Sequence, residues 1–316
     1  MNRLTLAIIF FLPSTLLAQT FTYAPVNVPG AVETQARGIN NNGEVVGFYK
    51  NTACTDSDMV VPNCPNTRGF KLVNGSYIKL MVPGSSRTVI MGVNDYGDLV
   101  GFYTKSSDGT SHGFIWYHQN VVKTIDFPGV ANGTIPFGIN KAGVVVGGLG
   151  NFPSGGWVWI NGTFYHMDPN NGAGACCEWV TGVSNNGILS GVVFQSDFWM
   201  AWMKESTDED FFTFPQPATA NGCCDTTGTG VNNNVDMIGF GGGIGLSGQL
   251  GMGWFTKHIE SNEGTNDSVE ATPSFIKVAF PKSGSTYPFG LNDKRWISGA
   301  YTDNTGVHGF VAKPNF

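Results

Sequence analysis

The chain has 316 residues, with 17 Lys+Arg against 23 Asp+Glu and a formal net charge of −6, and no basic run occurs in it. Displacing counterions from nucleic acid takes clustered cations, so no nucleic-acid partner is expected. Charged residues make up only 13% while Gly reaches 44 copies and Phe, Trp and Tyr 13%, a balance that suits short strands and tight turns and leaves little helix.

The chain opens with a cation at Arg3 and an apolar run from Leu4 to Leu17, broken only by Thr5, Pro13, Ser14 and Thr15, before the small residue Ala18. Residues 1–18 therefore read as a secretory signal peptide, too short for a bilayer span, and residues 19–316 as a single exported domain, extracellular or periplasmic. No later segment approaches the roughly 20 apolar residues of a membrane span.

From residue 38 one phrase recurs: GINNNGEVVGFY, then GVNDYGDLVGFY from 92, GINKAGVVVGG from 138, GVSNNGILSGV from 182, GVNNNVDMIGF from 230 and GLNDKRWISGAY from 290. Each copy is a strand ending in Gly-Val/Ile/Leu-Asn/Ser, a tight turn, and a second strand; Asn and Gly are expected in the turn because they accept left-handed backbone angles. A calcium loop would need alternating acidic ligands and a closing Glu, which the phrase lacks. A third strand follows each hairpin, RGFKL at 68, HGFIW at 112, GWVWI at 156, MAWMK at 200, GWFTK at 253 and HGFVA at 308. A fourth leads into a Pro-containing turn only five times, from 77, 121, 164, 211 and 275.

The missing sixth fourth strand is supplied by FTYAPVNVPG, residues 21–30, which carries the same Pro-Gly ending ahead of the first hairpin. Units of about 50 residues match four-stranded blades. The expectation is an all-β, six-bladed β-propeller, closed by the N-terminal strand completing the last blade and hiding edges that would otherwise invite aggregation. An open β-solenoid is the alternative, but its repeats are shorter and its ends need caps.

The combination of Gly-Ile-Asn, Val-Val-Gly-Phe-Tyr, His-Gly-Phe and Asp-Phe-Pro-Gly, as in residues 92–129 and 138–140, resembles the HAF family of bacterial extracellular repeat proteins. Copies four and five depart from it at the third strand, where MAWMK and GWFTK carry no His and Phe pair. The resemblance implies secretion and a propeller-like fold and transfers no catalytic set.

With the first strand innermost, the first-to-second and third-to-fourth turns share one face, and the longer second-to-third and fourth-to-first loops share the other. Binding sites favour loops on such a scaffold. The loop-rich side contains Cys54 and Cys64, expected to pair, and the doublets Cys176-Cys177 and Cys223-Cys224, which allow a cross-blade staple, bonds within each doublet, or a reactive pair. None of the six cysteines forms a CxxC. Candidate ligand-binding residues near this face are Arg37, Tyr49, Arg87, Tyr103, Glu178, Trp179, Asp225, Tyr287 and Tyr301, with Trp199 beside them, since aromatic faces stack on sugars while polar neighbours hold hydroxyls. The competing reading is that the aromatics fill the space between blades. His112 and His308 recur in register, which favours a structural role over a metal site. HExxH, GxSxG and P-loop motifs are absent, and residues 243–248 match GxGxxG without a βαβ unit around them.

The resulting expectation is a monomeric, secreted, noncatalytic binding module without cofactor or metal, recognising a glycan, a cell-surface component or a protein. The alternative is a propeller-based glycan hydrolase or lyase using Glu178 and Asp225 as paired carboxylates.

Overall fold

The computed structural model describes residues 21–54, 64–130, 133–150, 155–167, 176–195, 198–204, 212–214, 226–241, 252–257 and 275–316. The expected leader at 1–18, Cys223, Cys224, Asp225 and the glycine-rich stretch at 243–248 lie outside them. The first strand is β1 (Phe21–Val26). Blade 1 follows as β2 (Glu33–Ile39), β3 (Val45–Lys50), β4 (Arg68–Val73) and β5 (Ser76–Leu80), and blade 2 as β6 (Ser85–Val93), β7 (Leu99–Lys105), β8 (Ser111–Trp116) and β9 (Val122–Ile125). Blade 3 is β10 (Thr134–Ile139), β11 (Val145–Leu149), β12 (Gly156–Ile160) and β13 (Thr163–Met167). Blade 4 is β14 (Cys176–Val183), β15 (Leu189–Gln195), β16 (Phe198–Lys204) and β17 (Phe212–Phe214). Blade 5 is β18 (Thr226–Val231), β19 (Met237–Gly241), β20 (Met252–Thr256) and β21 (Phe275–Val278), and β22 (Ser285–Leu291), β23 (Ile297–Asp303) and β24 (Gly306–Pro314) begin blade 6.

Six four-stranded antiparallel sheets result, and the sixth is completed by β1 in the order β1-β24-β23-β22. The register runs from Phe21 opposite Pro314 to Val26 opposite Gly309, the closure expected from the sequence. The fold is an all-β, six-bladed propeller.

Two sets of glycines explain why the repeat is legible. Gly38, Gly92, Gly138, Gly182, Gly230 and Gly290 stand where the innermost strands crowd the axis. A Cβ on Gly38 would meet the Gly92 Cα at 3.1 Å, one on Gly182 the Gly230 Cα at 3.0 Å, and one on Gly290 the Gly38 Cα at 2.9 Å, closing the circle. Just before each of these glycines the innermost strand bulges: the register shifts between Ala36 and Gly38, Ile90 and Gly92, Pro136 and Gly138, Val180 and Gly182, Gly228 and Gly230, and Pro288 and Gly290. The bulge pushes a carbonyl toward the second strand, where a Cβ on Gly47, Gly101, Gly147, Gly191, Gly239 or Gly299 would collide with it.

The turns correct one detail of the sequence reading. Gly43 has φ 82°, but none of Asn40, Asn41 and Asn42 takes a left-handed angle. The asparagine after each leading Gly is used for its side chain instead. Asn40 Oδ1 accepts from the N–H groups of Asn42 at 3.1 Å and Glu44 at 3.0 Å, while its Nδ2 donates to the Asn94 carbonyl of the next blade at 2.9 Å. Asn94 donates onward to Asn140, Asn140 to Ser184, Asn232 to Asn292 and Asn292 to Asn40. The ring of carboxamides is broken only where Ser184 replaces Asn, and Ser184 Oγ keeps just the local bond to Ile188 N at 3.0 Å.

Candidate functional site

The two faces of the ring differ in construction. On the turn face, residues at the second turn position extend the carboxamide ring. Asn41 Nδ2 lies 3.0 Å from Asp95 Oδ2 and 2.8 Å from Asp293 Oδ2, and Asn233 Nδ2 donates to Asp293 at 2.8 Å. These hydrogen bonds hold both carboxylates in the turn network at the axis.

The opposite face receives the N-terminal ends of the innermost strands and the longer loops. Two of those loops hang on the recurring histidines. His112 Nε2 lies 2.8 Å from Thr110 Oγ1 and its Nδ1 2.8 Å from Asp126, while its ring centroid is 5.4 Å from that of Tyr103. His308 is tethered through one nitrogen only, its Nε2 lying 2.7 Å from Thr305 Oγ1 and 3.2 Å from Asp303 Oδ1, with its ring centroid 5.2 Å from that of Tyr301. Bonds from Thr110 hold the Asp108 carboxyl below its ordinary pKa, and bonds from Thr305 do the same for Asp303. Each histidine thus fastens a loop to its blade, and the described residues contain no group of three or more His, Cys, Asp or Glu that could hold a metal ion. In blade 1, the excursion between the second and third strands is clipped by the Cys54–Cys64 disulfide, with a Cα–Cα distance of 6.1 Å, as the sequence led one to expect. Cys176 and Cys177 open β14, but their side chains, like both residues of the second doublet, lie outside the described structure.

Four of the candidate residues gather around one axial core. Phe48, Val89, Met91, Phe102, Ile135, Phe137, Phe240 and Phe289 pack together there, and the half-buried Trp179 and Tyr287 lean on them from the loop-rich end. Arg37 is 3% exposed, with its guanidinium 3.8 Å from the Phe289 ring centroid and 5.2 Å from that of Phe48. Arg87 lies 5.3 Å over Phe102 and donates from Nε to Thr104 Oγ1 at 3.0 Å. The Trp179 indole donates to the Leu149 carbonyl at 3.2 Å, over the space left by Gly148, where a Cβ would strike the indole.

The remaining candidates are dispersed. Tyr49, Tyr103 and Tyr301 are buried in three different inter-blade layers; Tyr103 bonds Thr124 Oγ1 at 2.9 Å, and Tyr301 stacks on Phe280 with centroids 3.7 Å apart and planes at 3°. Their geometry is that of space-filling aromatics. Glu178 is 5% exposed, Trp199 is half-buried, and Asp225 lies outside the described residues. The sequence reading passed over Tyr96, which is 57% exposed on the turn face with the Lys141 ammonium 5.5 Å from its ring centroid. Nothing in the repeat separates it from its neighbours, since its turn position is held by Asn in three of the other copies and by Ala and Lys in the remaining two.

The axis itself offers little room. A cavity of about 30 Å³ is bounded by Arg37, Met91, Phe137, Thr181, Thr227, Thr229 and Phe289, a second of about 70 Å³ shares six of those residues and continues toward the turns, and a third of about 70 Å³ lies among the turns. Typical small-molecule sites measure roughly 300–1,000 Å³.

No family model matches this chain, and no curated protein sequence does. Several solved structures do. TolB from Acinetobacter baumannii is similar over 86% of this chain and 66% of its own, at 9% identity and a TM-score of 0.50, so this chain spans about two thirds of that protein. Virginiamycin B lyase from Staphylococcus aureus is similar over 92% of this chain and 99% of its own, at 12% identity and a TM-score of 0.46. The β-propeller domain of the Trilobed protease from Pyrococcus furiosus is similar over 89% and 94%, at 7% identity and a TM-score of 0.47. At these identities the likeness shows the propeller fold alone.

Proposed function

We propose that the protein is an exported, noncatalytic binding module of HAF-repeat type, made with a leader at residues 1–18, that engages a glycan, cell-surface or protein partner through its loop-rich face. The observation that carries this reading is the contrast along the axis. The interior is filled by aromatic and aliphatic side chains around Arg37, with axial cavities of only about 30, 70 and 70 Å³, which favours recognition of a large ligand at the surface. At the loop-rich mouth Trp179, Tyr287 and Arg87 are half-buried and backed by the axial core, and blades 1, 2 and 6 contribute tethered loops to the same face. The Cys54–Cys64 disulfide fits an oxidising compartment, and no helix among the described residues is long and apolar enough to cross a membrane. Closure by the chain's own β1 leaves blade 6 complete without a second copy, which supports a monomer.

A hydrolase would need Glu178 presented to substrate, and its burial at 5% exposure favours the binding reading. A glycan array run beside a pull-down from native envelope material tests the proposal. Binding in at least one is expected, weakened at least tenfold by Arg87→Glu; silence in both would overturn it.

A further inference from the structure

We infer that Asn74 and Asn161 are sites of spontaneous deamidation, where the backbone nitrogen of the following glycine closes on the side chain and leaves aspartate or isoaspartate in the turn. Of the Asn-Gly pairs in the chain, four have both residues among those described: Asn42-Gly43, Asn74-Gly75, Asn161-Gly162 and Asn186-Gly187. All four asparagines are exposed, so access to solvent does not tell them apart. Their hydrogen bonds do. Asn42 Nδ2 donates to the Asp95 carbonyl at 2.9 Å, and Gly43 N to the Asn40 carbonyl at 3.0 Å. Asn186 Nδ2 donates to the Asn233 carbonyl at 3.4 Å, and Gly187 N to the Ser184 carbonyl at 3.1 Å. In both pairs the turn network holds the carboxamide that would be attacked and the nitrogen that would attack it.

Asn74 and Asn161 stand at the tips of the third-to-fourth hairpins of blades 1 and 3, between the paired residues Val73 and Ser76 and between Ile160 and Thr163. With φ 48° and 79° at Asn74-Gly75, and 49° and 99° at Asn161-Gly162, each is a two-residue turn of the primed type, whose central N–H groups lie outside the ladder. Among the described residues neither carboxamide has a hydrogen-bond partner, and no atom beyond the adjoining residues comes within 4 Å of where a Cβ on Gly75 or Gly162 would lie. The reaction needs only water. The Gly75 nitrogen gives up its proton and bonds to Asn74 Cγ, Nδ2 departs as ammonia, and water opens the resulting succinimide at either carbonyl; Asn161 and Gly162 react in the same way. Opening at the side-chain carbonyl gives aspartate, whereas opening at the backbone carbonyl routes the main chain through Cβ as isoaspartate. Either product adds a negative charge to a chain that is already acidic. The longer backbone of isoaspartate no longer matches a two-residue turn, so it frays β5 or β13, the outermost strand of its blade, and leaves the axial ring intact.

The test is peptide mapping of the intact, folded protein after storage in neutral buffer, with isoaspartate separated from aspartate by electron-transfer fragmentation. Conversion at Asn74 and Asn161 should run about tenfold or more faster than at Asn42 and Asn186, where two hydrogen bonds must break before the ring can close. It should quicken in mildly alkaline buffer, which deprotonates more of the attacking nitrogen. In concentrated urea the four sites should convert at similar rates, which assigns the difference to the fold. Similar rates at all four sites in the folded protein, or unaltered Asn74 and Asn161 while the unfolded chain converts, would overturn the inference. So would sugar-bearing peptides at these two asparagines in material from the native source, since Ser76 and Thr163 also complete Asn-x-Ser/Thr glycan acceptors.

Discussion

In blades 6, 1 and 2 the second strand places Tyr301, Tyr49 and Tyr103 against third-strand phenylalanines, Phe310, Phe70 and Phe114. In blades 3, 4 and 5 the same two positions hold Leu149, Val193 and Gly241 with Trp157, Trp202 and Trp254. The aromatic bulk between blades is delivered from the second and third strands together in one half of the ring and from the third strand alone, as an indole, in the other. The recurring histidines occur only in the tyrosine half, where His308 and His112 lie tilted against Tyr301 and Tyr103, while in blade 1 Tyr49 stands opposite Arg68 instead.

Substitutions can break or sharpen this comparison. The largest effect should come from a feature both halves share: Gly101→Ala or Gly239→Ala drives a Cβ into the bulged carbonyl of Val89 or Thr227 and should abolish soluble folded protein, read by expression and circular dichroism. Next is the exchange between halves. Trp157→Phe should cost about 1–3 kcal/mol, because lost bulk outweighs removal of a buried indole N–H that has no partner in the structure. Combining it with Leu149→Tyr should recover at least half of that loss in urea unfolding, whereas additive losses would show that the two halves are not interchangeable. Ser184→Asn should complete the carboxamide ring and raise stability by about 1 kcal/mol. The smallest effect concerns Asp98. Burial pushes its carboxyl pKa up, but hydrogen bonds from the His118 backbone and imidazole and from Asn94, with the His118 charge, outweigh this and leave it below the ordinary value. That contribution is present above the carboxyl's unfolded pKa and fades as pH falls through the lower folded one, so Asp98→Asn should flatten the acid limb of Tm against pH by on the order of 1–2 °C.

The fold was legible because the six phrases carry their own reasons: the axial glycine, the glycine opposite the bulge, and a fourth strand displaced to the N-terminus. The role of Asn40 and its equivalents was misjudged, since a turn asparagine looks the same whether its backbone or its carboxamide is in use. The candidate site was harder to read. Tyr49, Tyr103 and Tyr301 recur in register, and that regularity marks packing between blades, whereas Trp179 and Tyr287, which do reach the mouth, occupy positions held by Gln35, Val89, Ile135 and Thr227 in other copies. Variation at one register position was the better signal of a binding surface.

Binding of a partner at the loop-rich face is tested most directly by amide hydrogen exchange of the protein with and without its captured glycan or protein. Protection should concentrate in residues 105–111, 280–285 and 303–306 and leave the turns at 40–43, 94–97 and 292–295 unchanged. Protection of those turns, with the loop segments unaffected, would contradict it.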